Sequence, residues 1–330
     1  MKIFKAEPIR HYQSHDMRLD FIDRVLARSE REDRNFNRHM FHQDFTMLFN
    51  YLNNRNGHLF IVDSNDNELT QLLLRSVQTR DSRRPVDEKI RALIEEISQT
   101  MLLRGKSYYY VFGDRERQDM HIAQFSAIGV INLFGLYCQW VPRRMDRNWD
   151  RSDVELPREA RILDSSKVMR FLLSKPMHRM LTKQNRILAS LDKYRFGTEE
   201  LHAQVTHENP EPVNYFDFNA WKDTQDRALY RGTRESGWNG RKYDASKRSE
   251  FFVCHRLIRF RRNQLTLRDD ILRQLSAELT KIGKRYNPEF AVSIKPSDEL
   301  PSIKQLDGLE ARLKREEVGF TEITDFCFKR

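Results

Sequence analysis

One stretch of this chain, residues 251–282, contains neither glycine nor proline and reads as a single long helix. Its apolar residues recur at helical spacing, so that at about 100° per residue most of them fall on one broad arc. Gly283 follows the stretch and suits a helix end. The apolar arc of such a helix has to be buried against other elements. We therefore predict a helix-dominated C-terminal part that contains this helix.

The first two-thirds of the chain mixes helical and strand patterns. Pro85 and Gly105 bracket a core-facing helix whose apolar positions are Ile90, Leu93, Ile94, Ile97 and Met101. The aromatic run at 107–112 predicts a strand. Further strands are predicted at 58–62, 120–126, 128–134, 136–141, 167–173 and 290–295. Further helices are predicted at 69–77, 177–194, 219–230 and 302–315. These patterns indicate an α+β fold with a mixed sheet and several helices.

Residues 197–212 are polar and include Pro210 and Pro212, which is typical of a boundary or a long loop. We therefore predict an α+β domain at 1–196, a linker or long loop at 197–212, and a helix-rich C-terminal domain at 213–330. A chain of 330 residues is long enough for two such domains.

The chain carries a formal net charge of +10, and 32% of its residues are charged. This balance favours a polyanionic partner. The long helix has an outer basic stripe, and the segment at 227–248 before it alternates basic and aromatic residues. The nucleic-acid-binding residues predicted from these two features are Arg231, Arg234, Trp238, Arg241, Lys242, Arg256, Arg259, Arg262 and Arg273. The leading prediction is a soluble basic protein that binds DNA or RNA through sequence-independent phosphate contacts. Two other interpretations stay open, since the stripe can be a solvated face and Trp238 can anchor its loop to the core.

Arg261 and Arg268 differ from the other arginines because they project into the apolar arc of the long helix. A buried guanidinium needs a partner or a cavity. We expect either an ion pair, with Asp217 or Glu250 as partner, or a ligand pocket. Snorkelling to the edge of the helix is a third alternative.

Two further functions remain open. One is a metal-dependent nuclease that uses the carboxylates of Asp217, Asp223, Asp226 and Glu235. The other is a subunit of a larger protein assembly, phage-related or mobile-element-related, that binds an acidic partner or itself through the long helix. No catalytic motif is found, so enzyme activity is left open, with nuclease as the class if there is one. No cofactor and no metal site are predicted.

A helix-strand junction at residues 105–107 reads Gly-Lys-Ser, which ends a phosphate-binding loop in other proteins. Here the helix comes before the glycine and the strand after it, the reverse of the order that such a loop needs, so we reject a nucleotide site. A helix, then Gly105, then an aromatic strand resembles the wing region of phage portal proteins. The resemblance covers a small part of the chain, and no residue role is carried over from it.

The most apolar segment, residues 125–141, is short for a membrane span and contains polar residues. We predict instead two buried strands that turn near Gly129 or Gly135, and no membrane partner. Cys138, Cys254 and Cys327 are far apart and form no metal-binding pair. The first residues lack the apolar run of a secretory signal. These features favour a cytoplasmic protein with reduced thiols.

Overall fold

A computed structural model of the chain describes residues 2–10, 21, 23, 36–49, 58–79, 85–113, 119–146, 154–193, 218–241 and 249–329. It confirms the predicted α+β fold class. The helices are α1 (Phe36–Thr46), α2 (Asn67–Ser76), α3 (Val86–Arg104), α4 (Lys175–Lys193), α5 (Phe218–Ser236), α6 (Glu250–Gly283), α7 (Ile303–Lys314) and α8 (Phe320–Lys329). The strands are β1 (Lys2–Lys5), β2 (Phe60–Ser64), β3 (Lys106–Phe112), β4 (His121–Phe125), β5 (Val130–Leu133), β6 (Leu136–Val141), β7 (Arg144–Asp146), β8 (Val154–Leu156), β9 (Glu159–Leu163), β10 (Val168–Leu172) and β11 (Val292–Pro296).

The chain divides into two compact units, each assembled from separated segments. The first comprises Met1–Asp33, Asn56–Leu173 and Arg268–Glu299, and the second comprises Arg34–Arg55, Ser174–Leu267 and Leu300–Arg330. Helix α6 contributes to both, because the division falls within it. The segments of these units differ from the predicted domains at 1–196 and 213–330. The predicted linker at 197–212 lies outside the described residues, and the domain division stays a prediction.

Every described strand lies in the first unit. One sheet has the order β1-β9-β6-β5, in which β1 runs parallel to β9 while the other neighbours are antiparallel. It is therefore the mixed sheet that the sequence predicts. A second, antiparallel sheet has the order β10-β3-β4, and two-stranded ribbons join β11 to β2 and β7 to β8.

Strand β3 builds the core of the first unit because its side chains alternate between two buried faces. Tyr108, Tyr110 and Phe112 share one face with Phe125 of β4 and residues of β5 and β6. Tyr109 points to the other face, where its ring lies 5.8 Å from that of Phe171 on β10. The aromatic run at 107–112 thus forms a strand that is buried on both sides.

Gly105 connects α3 to β3 in a single residue. Its φ of 74° is left-handed, and its amide donates to the carbonyl oxygen of Met101 at 2.7 Å. This is the geometry that glycine favours after a helix end. The Gly-Lys-Ser sequence is therefore a helix C-cap followed by a strand, as the order of the elements indicated.

The second unit is helical. Helix α4 contacts α1 and α5, and the first part of α6 packs against α7 and α8. The buried residues of this second packing are Cys254, Leu257, Ile258, Leu265, Leu306, Leu309, Leu313, Val318, Ile323 and Cys327. The observed bounds of α6, Glu250–Gly283, confirm the long helix predicted at about 251–282.

Candidate functional site

Arg262, a member of the predicted basic stripe, is bound to two carboxylates of α7. Its Nη2 lies 2.7 Å from Asp307 Oδ1 and 2.7 Å from Glu310 Oε2. Burial lowers the pKa of this guanidinium, but the hydrogen bonds and charges of Glu310 and Asp307 outweigh burial and raise it. The hydrogen bond from Arg262 in turn lowers the pKa of Glu310. The charge of Arg262 therefore holds α7 to α6 inside the second unit.

Other residues of the predicted nucleic-acid surface also have partners within the second unit. Arg241 Nη2 lies 2.6 Å from Asp44 Oδ1, and the indole Nε1 of Trp238 donates to Asp44 Oδ2 at 2.7 Å. Trp238 is buried and packs edge-on against an aromatic ring of α1, so that it anchors the segment after α5. Arg259 donates a hydrogen bond to the backbone carbonyl oxygen of Arg234.

The remaining members of that predicted surface are scattered. Arg231 on α5 is exposed, as is Arg273 on α6, whose Nη2 also lies 2.8 Å from Asp270 Oδ1. Arg256 is half-buried and makes contacts of its own. Lys242 lies outside the described residues. The predicted stripe is thus divided between internal ion pairs and single exposed guanidinium groups.

Arg261 and Arg268 are buried, as their positions in the apolar arc require. In the second unit, Arg261 Nη1 donates to Gln264 Oε1 at 3.1 Å and to a backbone carbonyl oxygen after α1 at 3.2 Å. In the first unit, Arg268 Nε donates to Asp269 Oδ1 at 2.8 Å. These bonds offset the cost of burying the two charges. Asp217 lies outside the described residues, and the pairing of these arginines with Asp217 or Glu250 stays a prediction.

The structure describes three of the four carboxylates predicted for a nuclease site. Asp217 lies outside the described residues, while Asp223, Asp226 and Glu235 follow one another along α5. Glu235 Oε1 lies 3.5 Å from Lys183 Nζ. Within the described ranges, no three His, Cys, Asp or Glu side chains converge as a metal ion would require. The nuclease alternative stays a prediction.

The β5–β6 hairpin ends in four residues, Leu133, Phe134, Gly135 and Leu136, which we call the hairpin tip. Leu133 is 61% exposed, Leu136 is 52% exposed and Phe134 is 108% exposed, the value of a side chain without neighbours. The two central residues have φ values of 51° and 86°, as in a type I′ turn. Asn-Gly is the sequence that this turn favours. A phenylalanine there is held in a left-handed conformation that costs about 1–2 kcal/mol.

The hairpin tip belongs to the least charged part of the chain. Residues 122–142 contain no Asp, Glu, Lys or Arg, although 32% of the whole chain is charged. Strand β5 also ends its sheet, and the strand at the opposite end, β1, carries Lys2 and Lys5. Charged residues commonly protect sheet edges from association. The hairpin tip itself carries no charged residue, whereas Lys106 Nζ donates to the carbonyl oxygen of Val130 at the start of β5 at 3.0 Å.

The sequence predicted two buried strands in this segment, turning near Gly129 or Gly135. The strands are confirmed and the hairpin turns at Phe134 and Gly135, but the apolar side chains of the turn are exposed. In the part of the chain that the structure describes, no helix combines the length and the apolar character needed to cross a bilayer.

A cavity of about 200 Å³ opens elsewhere on the first unit, beside α3 and β4. Its lining is half apolar and includes Leu103, Phe125 and Ile128. Two basic side chains, Arg10 and Arg104, complete its rim. We call it the arginine-rimmed cavity. Such a mixture of apolar walls and cations suits an aromatic ring or a small anion.

The chain is similar in backbone to components of solved virus-like particles. It covers 85% of a chain from the neck of an empty gene transfer agent (GTA) particle, with 81% of its own length, 11% identity and a TM-score of 0.44. It also covers 95% of chains from the virion and from the neck of a native GTA particle, with 98% of its own length, 11% identity and TM-scores of 0.39 and 0.40. Neither a protein-family model nor a curated protein sequence matches the chain.

The prediction of a nucleic-acid-binding, DNA-binding protein is wrong. Three of the arginines from which that prediction was made, Arg241, Arg259 and Arg262, are engaged with carboxylates or a carbonyl oxygen of the second unit. The apolar arc of α6 is buried within the two units, so this arc is not available as a surface for assembly.

Proposed function

We propose that this protein is a structural subunit of a larger protein assembly, and that it associates with further copies of itself through the hairpin tip. The single observation that carries this proposal is the exposure of Phe134 between two exposed leucines at the end of an uncharged hairpin. Such a cluster of apolar side chains in water marks an interaction site on soluble proteins.

The hairpin tip gives its own fold little stability. Phe134 has no buried surface in the monomer, and its left-handed backbone is unfavourable by about 1–2 kcal/mol relative to glycine. An asparagine at the same position would suit the turn better than Phe134 does, because asparagine tolerates this conformation. Strained, exposed groups of this kind occur where a structure serves binding.

Burial of the hairpin tip against another protein would supply a usable free energy. Fully burying a large apolar side chain contributes about 1.5–3 kcal/mol. A few well-buried aromatic anchors carry most of the energy of many protein interfaces. Because association itself has a cost of several kcal/mol, we expect one tip contact to be weak and repeated contacts in an assembly to be stable.

The experiment compares the solution mass of the wild type with that of Phe134→Asn by sedimentation velocity over a range of concentrations. The asparagine removes the ring and keeps the turn. The control is Ile61→Thr, which removes an apolar side chain that is 47% exposed from strand β2 of the same unit. We expect the wild type and Ile61→Thr to self-associate as concentration rises, and Phe134→Asn to remain monomeric.

A wild type that stays monomeric at every concentration would contradict the proposal. So would a Phe134→Asn variant that associates as tightly as the wild type. Circular dichroism of both variants checks that the comparison is made between folded proteins.

A further inference from the structure

The geometry points to the arginine-rimmed cavity of a second copy as the receptor for the hairpin tip, with the Phe134 ring seated between Leu103 and Ile128. This inference rests on the proposed function and deepens it, because it names the surface that the hairpin tip meets. Both partners of the contact lie within the first unit of the fold.

The size of the cavity fits the ring. The arginine-rimmed cavity measures about 200 Å³. An apolar cavity of about 150 Å³ in another protein is large enough to bind benzene. A phenyl ring therefore fits with room for part of a neighbouring leucine. Leu103, which is 55% exposed at the mouth, would be covered by the incoming tip.

The cationic rim also suits an aromatic ring. Arg10 already lies over an aromatic ring of β3, with its guanidinium carbon 5.8 Å from the centroid of Phe112. Its Nη2 donates to Gln78 Oε1 at 2.8 Å, which holds the guanidinium in place. A second ring entering beside it would meet a fixed, positively charged plane, the arrangement that cation–π attraction favours.

Gln124 and Ser126, two polar residues of the wall, already make hydrogen bonds within the protein, so that covering them with a ring costs little. Gln124 Nε2 donates to Thr100 Oγ1 at 2.6 Å and to Ser107 Oγ at 3.2 Å. Ser126 Oγ accepts from the amide of Ile128 at 3.3 Å. Apolar burial costs free energy only where it strips a polar group of its partners.

A tip cannot fill the cavity of its own copy. Ile128 lines the cavity, and β5 then runs from Val130 to Leu133 before the turn. Four strand residues extend about 13 Å, which is farther than a phenylalanine side chain reaches back. The donor and receptor surfaces are different patches on one unit, so the contact is head-to-tail. Such contacts close into a ring or continue as a filament.

The test separates the two sides of the contact. Phe134→Asn lacks the donor ring but keeps the cavity, whereas Leu103→Glu keeps the ring and places a carboxylate beside Arg10 and Arg104. Leu103 is exposed on α3 and glutamate is a good helix former, so we expect this variant to fold. Each variant alone should self-associate at least about tenfold more weakly than the wild type.

Mixed in equal amounts, the two variants should form a dimer and nothing larger, because one intact ring meets one intact cavity. Sedimentation equilibrium of the mixture and of each variant alone measures this. The inference is overturned if Leu103→Glu assembles like the wild type, or if the mixture stays monomeric while the wild type assembles. In both of those cases the loss of assembly in Phe134→Asn would still support the proposed function. A wild type that stays monomeric would contradict both the proposed function and this inference.

Discussion

At the scale of single residues, Phe134 is central to the proposed function, because its side chain and its backbone both adopt states that phenylalanine disfavours. The ring is fully exposed and φ is 51°. Neither feature stabilises the monomer. The amide of the next residue, Gly135, donates to Asn132 Oδ1 at 3.1 Å, which helps to fix the turn. We propose that binding accounts for an aromatic side chain at this position.

Phe134→Asn should therefore stabilise the monomer. Relief of the left-handed strain predicts a gain of about 1 kcal/mol in the free energy of unfolding. For a chain of this length the midpoint of thermal unfolding should rise by about 1–2 °C. Calorimetry at a concentration where the wild type is monomeric measures it. A lowered midpoint would mean that Phe134 packs against its own fold.

The three cysteines should differ in reactivity. Cys254 and Cys327 are buried. Burial raises the pKa of Cys254 and raises the pKa of Cys327 to about 12, so both thiols stay protonated at neutral pH. Cys138 is only partly buried, although burial raises its pKa as well. We expect a thiol reagent at pH 8 to modify Cys138 slowly in the native protein and all three cysteines in urea. Rapid native modification of Cys327, located by mass spectrometry, would be incompatible with the packing of α8.

At the scale of elements, the sequence predicts those whose pattern is local. The spacing of Ile90 to Met101 together with Gly105 predicted α3, and the absence of glycine and proline at 251–282 predicted α6. Strands β1 and β9 were missed, because they are short and are stabilised by pairing with each other across more than 150 residues of sequence. The same limit applies to the site. Apolar periodicity predicted burial for the hairpin, while exposure of its turn depends on the end position of β5 in the sheet.

Ion pairs between elements could not be predicted from the sequence either. Arg262 and Glu310 lie far apart in the chain, on α6 and α7, and no local pattern joins them. The hydrogen bond from Arg262 lowers the pKa of Glu310, so the ionised carboxylate stabilises the fold above its unfolded pKa of about 4.3. That stabilisation is lost as the pH falls through the lower pKa of the folded state.

Glu310→Gln should therefore flatten the loss of stability between about pH 5 and pH 3. At pH 7 the free energy of unfolding of the variant should be lower than that of the wild type by up to about 1 kcal/mol. In acid the free energies of unfolding of the two proteins should become equal. Urea unfolding at a series of pH values measures both effects. Glu299→Gln, at an exposed position outside the helices, serves as control. Equal acid slopes for the wild type and Glu310→Gln would show that the ion pair contributes nothing.

At the scale of the whole molecule, several basic side chains form internal contacts that the sequence does not reveal. The formal net charge of +10 indicated a polyanionic partner, but several of the arginines lie inside ion pairs and hydrogen-bond networks of the two units. The first unit also exposes the apolar hairpin tip, and we propose that this tip enters the arginine-rimmed cavity of another copy. A subunit with both on one body has the means to build a repeated assembly.

Amide hydrogen exchange of the hairpin at low and high protein concentration tests most directly whether the tip is buried between copies. The amides of residues 132–136 should exchange rapidly at low concentration, where the turn is exposed, and more slowly as the sedimentation mass rises. Residues 61–64, in another ribbon of the same unit, should not change. If the mass rises while exchange at 132–136 stays the same, the copies meet through another surface and the central claim is contradicted.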